Sequence, residues 1–261
     1  MRVFNLLTLY FLMFGLAFAL TETADSKNID GLVVYFSFDD GKGNTVADKS
    51  GTGNNGDLKG GAKWSGKFGG GLTLDGTDGC VEVADSKSLQ FTDGLTMVAW
   101  IKPTLKGDEW QLVASKGLDA KEYFEMLLSP QGFLWMGWNF QKGRVVPAQS
   151  PKNVKADTWQ HVAVAWDPNE FWNIYLDGEV LIEYPKQADK LVPTTDPLLI
   201  GTEINLKRFY NGVIDDFALF SRGLTQNEIK GLKRYIPGFP NSPCRTTRMS
   251  GSTMIMGSSD A

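Results

Sequence analysis

Apolar and polar residues alternate with period two over much of the chain, most clearly from Thr158 to Gly178, TWQHVAVAWDPNEFWNIYLDG. Val162, Val164 and Trp166 alternate with His161, Ala163 and Ala165; a polar Asp167-Pro168-Asn169 turn follows, and Ile174 and Leu176 then alternate with Asn173 and Tyr175. Alternation broken by turn residues predicts two antiparallel strands with one face in a core. Strands are predicted in the same way at Leu32 to Phe38, Leu72 to Leu74, Cys80 to Val83, Leu198 to Ile200 and Val213 to Phe220. Leu95 to Ile101 is apolar enough to be a central strand. A second hairpin is predicted from Tyr123 to Leu128 and from Phe133 to Trp138, around Ser129-Pro130-Gln131-Gly132.

One helix is predicted. Thr225 with Glu228 three residues on makes a capping box, Leu224 and Ile229 are placed as its hydrophobic staple, and Tyr235-Ile236-Pro237-Gly238 stops it. After the first strand, Asp39 to Gly61 is a long Gly/Asn/Asp/Lys segment in which Asn54-Asn55-Gly56 is expected to supply left-handed turn conformations. Trp64 and Phe68 are expected to plug its underside. The Gly69-Gly70-Gly71 run lacks the Gly-Lys-Ser/Thr ending and following helix of a phosphate loop, and so reads as structural.

The strand around Trp159, His161, Val162, Ala163, Trp166 and Asp167, followed by one ending Ile174-Tyr175-Leu176-Asp177-Gly178, resembles the centre of the laminin-G-like, concanavalin-A-like jelly-roll family. Phe38 to Gly43, Leu72 to Gly76 with Val81 to Val83, Leu95 to Ile101, and Gly212 to Thr225 fall in that family's order, over residues 30 to 235 or so. The resemblance implies an all-β fold: a jelly-roll β-sandwich of two antiparallel sheets, first and last strands adjacent, with one short C-terminal helix. It also implies a role in binding, since the family includes pentraxins and many secreted lectin-like modules; its glucanase members are enzymes. Fold alone does not decide between these.

At 261 residues the chain fits one large sheet domain, placed at residues 31–236. The basic residues, 26 against 30 acidic for a net charge of -4, are scattered rather than gathered into the stripe that nucleic acid demands. Arg2, the apolar run from Leu6 to Leu20 and Ala17-Phe18-Ala19 read as a signal peptide over residues 1–19, so the mature chain is expected to begin near Leu20 and to be secreted or periplasmic, with no membrane span; a retained anchor is the alternative. Residues 20–30 read as a flexible leader and 237–261, without periodicity, as a disordered tail. In an oxidising compartment Cys80 and Cys244 are a candidate disulfide; two unrelated thiols are the alternative.

Candidate chemistry is sparse. His161 is the sole histidine, no serine sits in a Gly-x-Ser-x-Gly elbow, and one His with two distant Cys does not make a zinc site. The Glu-x-Asp-x-x-Glu strand that the resemblance would bring from the glucanases is missing, and the acids of Glu122 and Glu125 are expected on opposite faces of a strand. The resemblance implies a structural calcium held by the acidic turn after the first strand and by an acid of the last strand, here Asp39 or Asp40 and Asp215 or Asp216; the alternative is that these aspartates only cap turns. Lectin sites pair an exposed aromatic with amide groups, which makes Trp135, Trp138, Asn139 and Gln141 the ligand-binding candidates, with Trp110 and Phe171-Trp172 as others. Each of these aromatics could instead fill the core. The expectation is a non-catalytic module binding glycans or glycosylated surfaces; a protein-protein adhesion module is the alternative, and a glycoside hydrolase the third reading.

Overall fold

The computed structural model describes residues 29–65, 71–117, 124–145, 150–186 and 188–234. Among these are sixteen strands, more than the alternation predicted, and one α-helix. One eight-stranded sheet holds β1 (Leu32–Phe36), β4 (Lys63–Trp64), β5 (Leu72–Asp75), β7 (Leu95–Pro103), β12 (Gln160–Asp167), β13 (Phe171–Leu176), β14 (Glu179–Tyr184) and β16 (Asn211–Phe220). The second, also of eight strands, holds β2 (Thr45–Val46), β3 (Gly56–Lys59), β6 (Cys80–Val83), β8 (Gln111–Lys116), β9 (Phe124–Leu128), β10 (Leu134–Phe140), β11 (Gly143–Val145) and β15 (Leu198–Ile200). The first runs β14-β13-β12-β7-β16-β5-β4 with β1 also on β16; the second runs β11-β10-β9-β8-β15-β6-β3-β2. First and last strands are neighbours, Leu32 opposite Phe220 and Phe36 opposite Phe217, as the order of motifs implied.

The inner faces meet in one core. Val162, Val164 and Trp166 of β12 project into it from the first sheet, and Leu134, Met136, Trp138 and Phe140 of β10 from the second. Across the gap Trp138 packs edge-on against Trp166 at 6.0 Å and Trp172 at 6.2 Å between ring centroids, and Phe140 lies 5.3 Å from Trp166. Such tilted aromatic packing contributes beyond the area it buries.

The other face of the first sheet is not left to solvent. The helix α1 (Gln226–Arg234) covers it through Leu224, Ile229 and Leu232, which pack on Val98, Ala163, Ala165, Tyr175 and Ala218. The small residues there leave room for the helix, so β12 is buried on both sides, whereas the sequence pattern predicted one. The cap forms as predicted: Glu228 accepts from Thr225 N–H at 2.8 Å and Thr225 Oγ1 accepts from Glu228 N–H at 3.4 Å.

The segment from Asp39 to Gly61 carries more order than its composition suggested, since β2 and β3 lie within it. Its left-handed residues are Gly41, Gly43, Gly51, Gly53 and Gly60, not Asn54-Asn55-Gly56. Asn54 is buried instead and donates to Val33 O at 3.0 Å, and Gly56 begins β3 where a Cβ would strike Val81. Trp64 does sit beneath this segment, its indole N–H donating to Gly43 O at 2.8 Å. Phe68, Glu122, Cys244, the signal segment and the tail lie outside the described residues. Among the described residues no helix is long and apolar enough to cross a membrane.

Candidate functional site

The predicted calcium aspartates fall on two neighbouring strands, Asp39 and Asp40 just after β1 and Asp215 and Asp216 within β16. Asp215 and Asp216 are buried at a bulge in β16, where its register against β7 shifts. β5 pairs with β16 up to Ile214 and β1 from Phe217, so the bulge sits where one neighbour gives way to the other. Asp216 has a φ of 45° there, and its Oδ1 accepts from the Tyr35 hydroxyl at 2.9 Å. Burial, then the charge and hydrogen bond of Asp216, with smaller effects of the Asp39 and Asp215 charges, hold that hydroxyl far above the ordinary tyrosine range. Asp40 has the turn-capping role: it accepts from Ala47 N–H at 3.2 Å and pairs with Lys49 at 3.6 Å. Among the described residues no group of three or more His, Cys, Asp or Glu is arranged to hold a metal. A calcium ion, which prefers six to eight oxygens, would draw on backbone carbonyls and water besides Asp39, Asp215 and Asp216.

Cys80 is a buried free thiol at the start of β6, its acidity weakened to about 11 by burial and the Glu82 charge. His161 is buried beside Trp100, with ring centroids 5.3 Å apart, and its Nδ1 finds no hydrogen-bond partner among the described residues. Burial lowers its pKa to about 3, against the raising effect of Asp177. It is a packed residue of the sheet.

Strand geometry sorts the ligand-binding candidates. Successive side chains of β10 point to opposite faces, so Trp138 shares the inner face with Met136 and Phe140 and is 0% exposed. That overturns its candidacy: a ring at the centre of the sandwich cannot meet a sugar. Trp172 is excluded for the same reason, its indole N–H directed to Met136 Sδ at 3.0 Å, and Phe171 packs on the helix side. Trp135, Asn139 and Gln141 fall on the outer face of the second sheet; Trp135 and Asn139 are half-buried and Gln141 is exposed.

Around Trp135 this face is built as a floor with polar walls. Trp110, just before β8, meets Trp135 edge-on with centroids 5.3 Å apart. On β9, Leu127 lies opposite Trp135 and Glu125 opposite Gly137. Gly137 is required here because a Cβ would strike the Glu125 carboxylate, which lies over it. That carboxylate reaches Arg208 Nη2 at 3.6 Å, and Arg208 also grips Glu203 through Nε, at 2.8 Å, and Nη2. Glu125 and Glu203 side chains are each 2% exposed and that of Arg208 25%. Sequence reasoning missed this triad, because Glu203 and Arg208 come from a loop before β16 whose approach to β9 no local pattern records.

Solved structures share this two-sheet fold. The binding domain of Paraclostridial Mosquitocidal Protein 1 matches with a TM-score of 0.60 at 16% identity, over 77% of this chain and 51% of that one. The binding domain of Botulinum neurotoxin DC, solved with rat synaptotagmin II, matches at 0.61 and 13% over 77% and 51%. The chain thus spans about half the length of these two. Domain 4 of AbnA, a GH43 extracellular arabinanase from Geobacillus stearothermophilus solved with arabinotriose, matches at 0.59 and 19% over 76% of this chain and 96% of that one. Among curated protein sequences nothing matches. The profile of the laminin-G type within the concanavalin A-like lectin/glucanases superfamily matches residues 75–230, more than half of the chain, and the chain belongs to that superfamily.

Proposed function

We propose that this chain is a non-catalytic, lectin-like module that binds glycans on the outer face of its second sheet. The Trp110–Trp135 pair carries the reading. A sugar ring stacks its C–H face on an indole and takes its hydrogen bonds from the side, and Asn139 and Gln141 stand on the same face of β10 and just beyond it. Aromatics beside amides were the feature expected of a glycan site rather than of a flat protein-binding patch. The arabinotriose complex of the arabinanase domain shows that a module of this fold can hold a neutral oligosaccharide. The extracellular setting expected from Arg2 and the run Leu6 to Leu20 accords with such a ligand. A structural calcium ion at Asp215 and Asp216, with Asp39, belongs to the same proposal, supported by the burial of the two β16 carboxylates at the bulge beside the Tyr35 hydroxyl.

A protein partner is the second reading, favoured by Leu206, which is 57% exposed in the loop between Glu203 and Arg208. A glycan array probed with the full chain separates the two. Trp135→Ala should lower glycan binding more than tenfold with little change in melting temperature; binding that survives this substitution would move the site off this face.

A further inference from the structure

The helix α1 has two flanks with different partners. On one, Gln226, Lys230 and Lys233 hold the Asp177-Gly178-Glu179 turn, through contacts of 3.2 Å to Gly178 O and 3.0 Å to both Glu179 Oε1 and Asp177 O. On the other, Glu228, Gly231 and Leu232 line a cavity of about 240 Å³ that Ile29, Phe220 and Leu224 help to close. Its walls are apolar apart from the Arg222–Glu228 pair, 2.7 Å apart. A Cβ built on Gly231 would meet nothing within 4 Å among the described residues. Glycine weakens a helix relative to alanine, so this space is kept against the helix's own preference.

We infer that the occupant is Tyr235, the residue that follows α1, and that its ring plugs the cavity. Successive residues are separated by about 100° around a helix, so Tyr235 comes next on the flank of Glu228, Gly231 and Leu232, opposite the basic flank. Its Cα is held within about 3.8 Å of that of Arg234 by the peptide bond. Side chains of a helix lean back over the preceding turn, which brings the ring onto Gly231. Ile236 precedes Pro237 and is turned away from helical geometry, so the stripe ends with the tyrosine. The chain at the other end of the domain offers no rival, because Thr21 to Asn28 contain no apolar side chain larger than that of Ala24. A ring that buries its apolar body and keeps its hydroxyl in water suits a cavity open on one side. Ile29 precedes β1 and Phe220 ends β16, so the plug ties the helix to both ends of the sandwich.

The test is a cycle of Tyr235→Ala and Gly231→Leu in the full chain, read as melting temperature. Tyr235→Ala should lower it by roughly 4 °C or more. Gly231→Leu should raise it in the Tyr235→Ala background, where leucine fills the emptied cavity, and leave it unchanged or lower in the wild-type background, where leucine and ring claim the same space. A Tyr235→Ala protein that melts with wild type overturns the inference. So does a cycle in which the two effects simply add, since the ring then packs elsewhere. A wild-type melting temperature that climbs with protein concentration assigns the cavity to a second copy and likewise overturns it. Should Gly231→Leu not fold, nuclear Overhauser contacts from the Tyr235 ring to Gly231 Hα and the Leu232 methyls are expected in the unsubstituted protein, and their absence sinks the idea.

Discussion

At the scale of single residues, Trp135 and Trp138 stand three positions apart on one strand and do opposite work. Trp138 touches Phe140, Trp166 and Trp172 with its ring fully enclosed. Truncating it should cost about 3–5 kcal/mol, the range for a large buried aromatic. Trp135→Ala should cost roughly 1 kcal/mol, because its ring is half-buried on the outer face. Denaturant unfolding of the two variants checks this, and similar losses for both would mean that Trp135 is core. Leu206 offers a second case. It is 57% exposed and holds a φ of 53°, a left-handed conformation unfavourable to a branched apolar side chain. Leu206→Gly should stabilise the protein by about 1 kcal/mol in the same assay. A loss instead would show that this side chain packs against something. Strain of this kind is kept where a site uses it, so the glycine variant should also be tested for protein-partner binding.

At the scale of elements, legibility followed burial geometry. The hairpin of β12 and β13 was plain because one face enters the main core and the other carries the smaller Ala163 and Ala165. The same alternation separates Trp135 from Trp138, yet alternation cannot say which set faces inward when both are aromatic. β2 and β3 were hidden because short strands paired by Thr45–Asp57 and Val46–Gly56 sit in a segment whose Gly, Asn and Asp content reads as turn. β12 also carries a pH-sensitive residue. His161 has an unfolded pKa near 6.5 and a folded value of about 3, lowered by burial and by Lys233 against the effect of Asp177. Below pH 6.5 the unfolded chain therefore binds a proton that the folded chain refuses, so stability present above that pH is lost as pH falls toward 3. Between pH 7 and pH 4 this amounts to roughly 3 kcal/mol at 1.36 kcal/mol per pKa unit. Unfolding free energies for wild type and His161→Gln should converge by about that amount as pH drops; parallel curves would place the histidine in contact with solvent or an acceptor.

For the whole molecule, the sandwich and the closure of its two ends were legible, whereas the triad of Glu125, Glu203 and Arg208 was not, because Arg208 joins its loop to Glu125 on β9 across 83 residues of chain and periodicity carries no such contact. The closure of the ends is where calcium would act. Asp39 follows β1, Asp215 and Asp216 sit in β16, and β1 pairs with β16, so an ion shared by these carboxylates ties the first strand of the domain to its last. Asp215 and Asp216 are buried neighbours whose charges repel, and a divalent cation bound there would offset that repulsion in the folded state alone. Stability should then rise with calcium as RT ln(1 + [L]/Kd), roughly 2.7 kcal/mol at a hundredfold excess over the dissociation constant. Asp215→Asn should remove this increment while leaving the calcium-free protein within about 1 kcal/mol of wild type, since one of the repelling charges is gone. Asp40→Asn should keep the increment, because Asp40 is engaged with Ala47 and Lys49. Melting curves of the three proteins in calcium and in chelator decide the matter. A wild-type curve indifferent to both would leave Asp216 as the acceptor for Tyr35 and the corner as a hydrogen-bonded bulge without a metal.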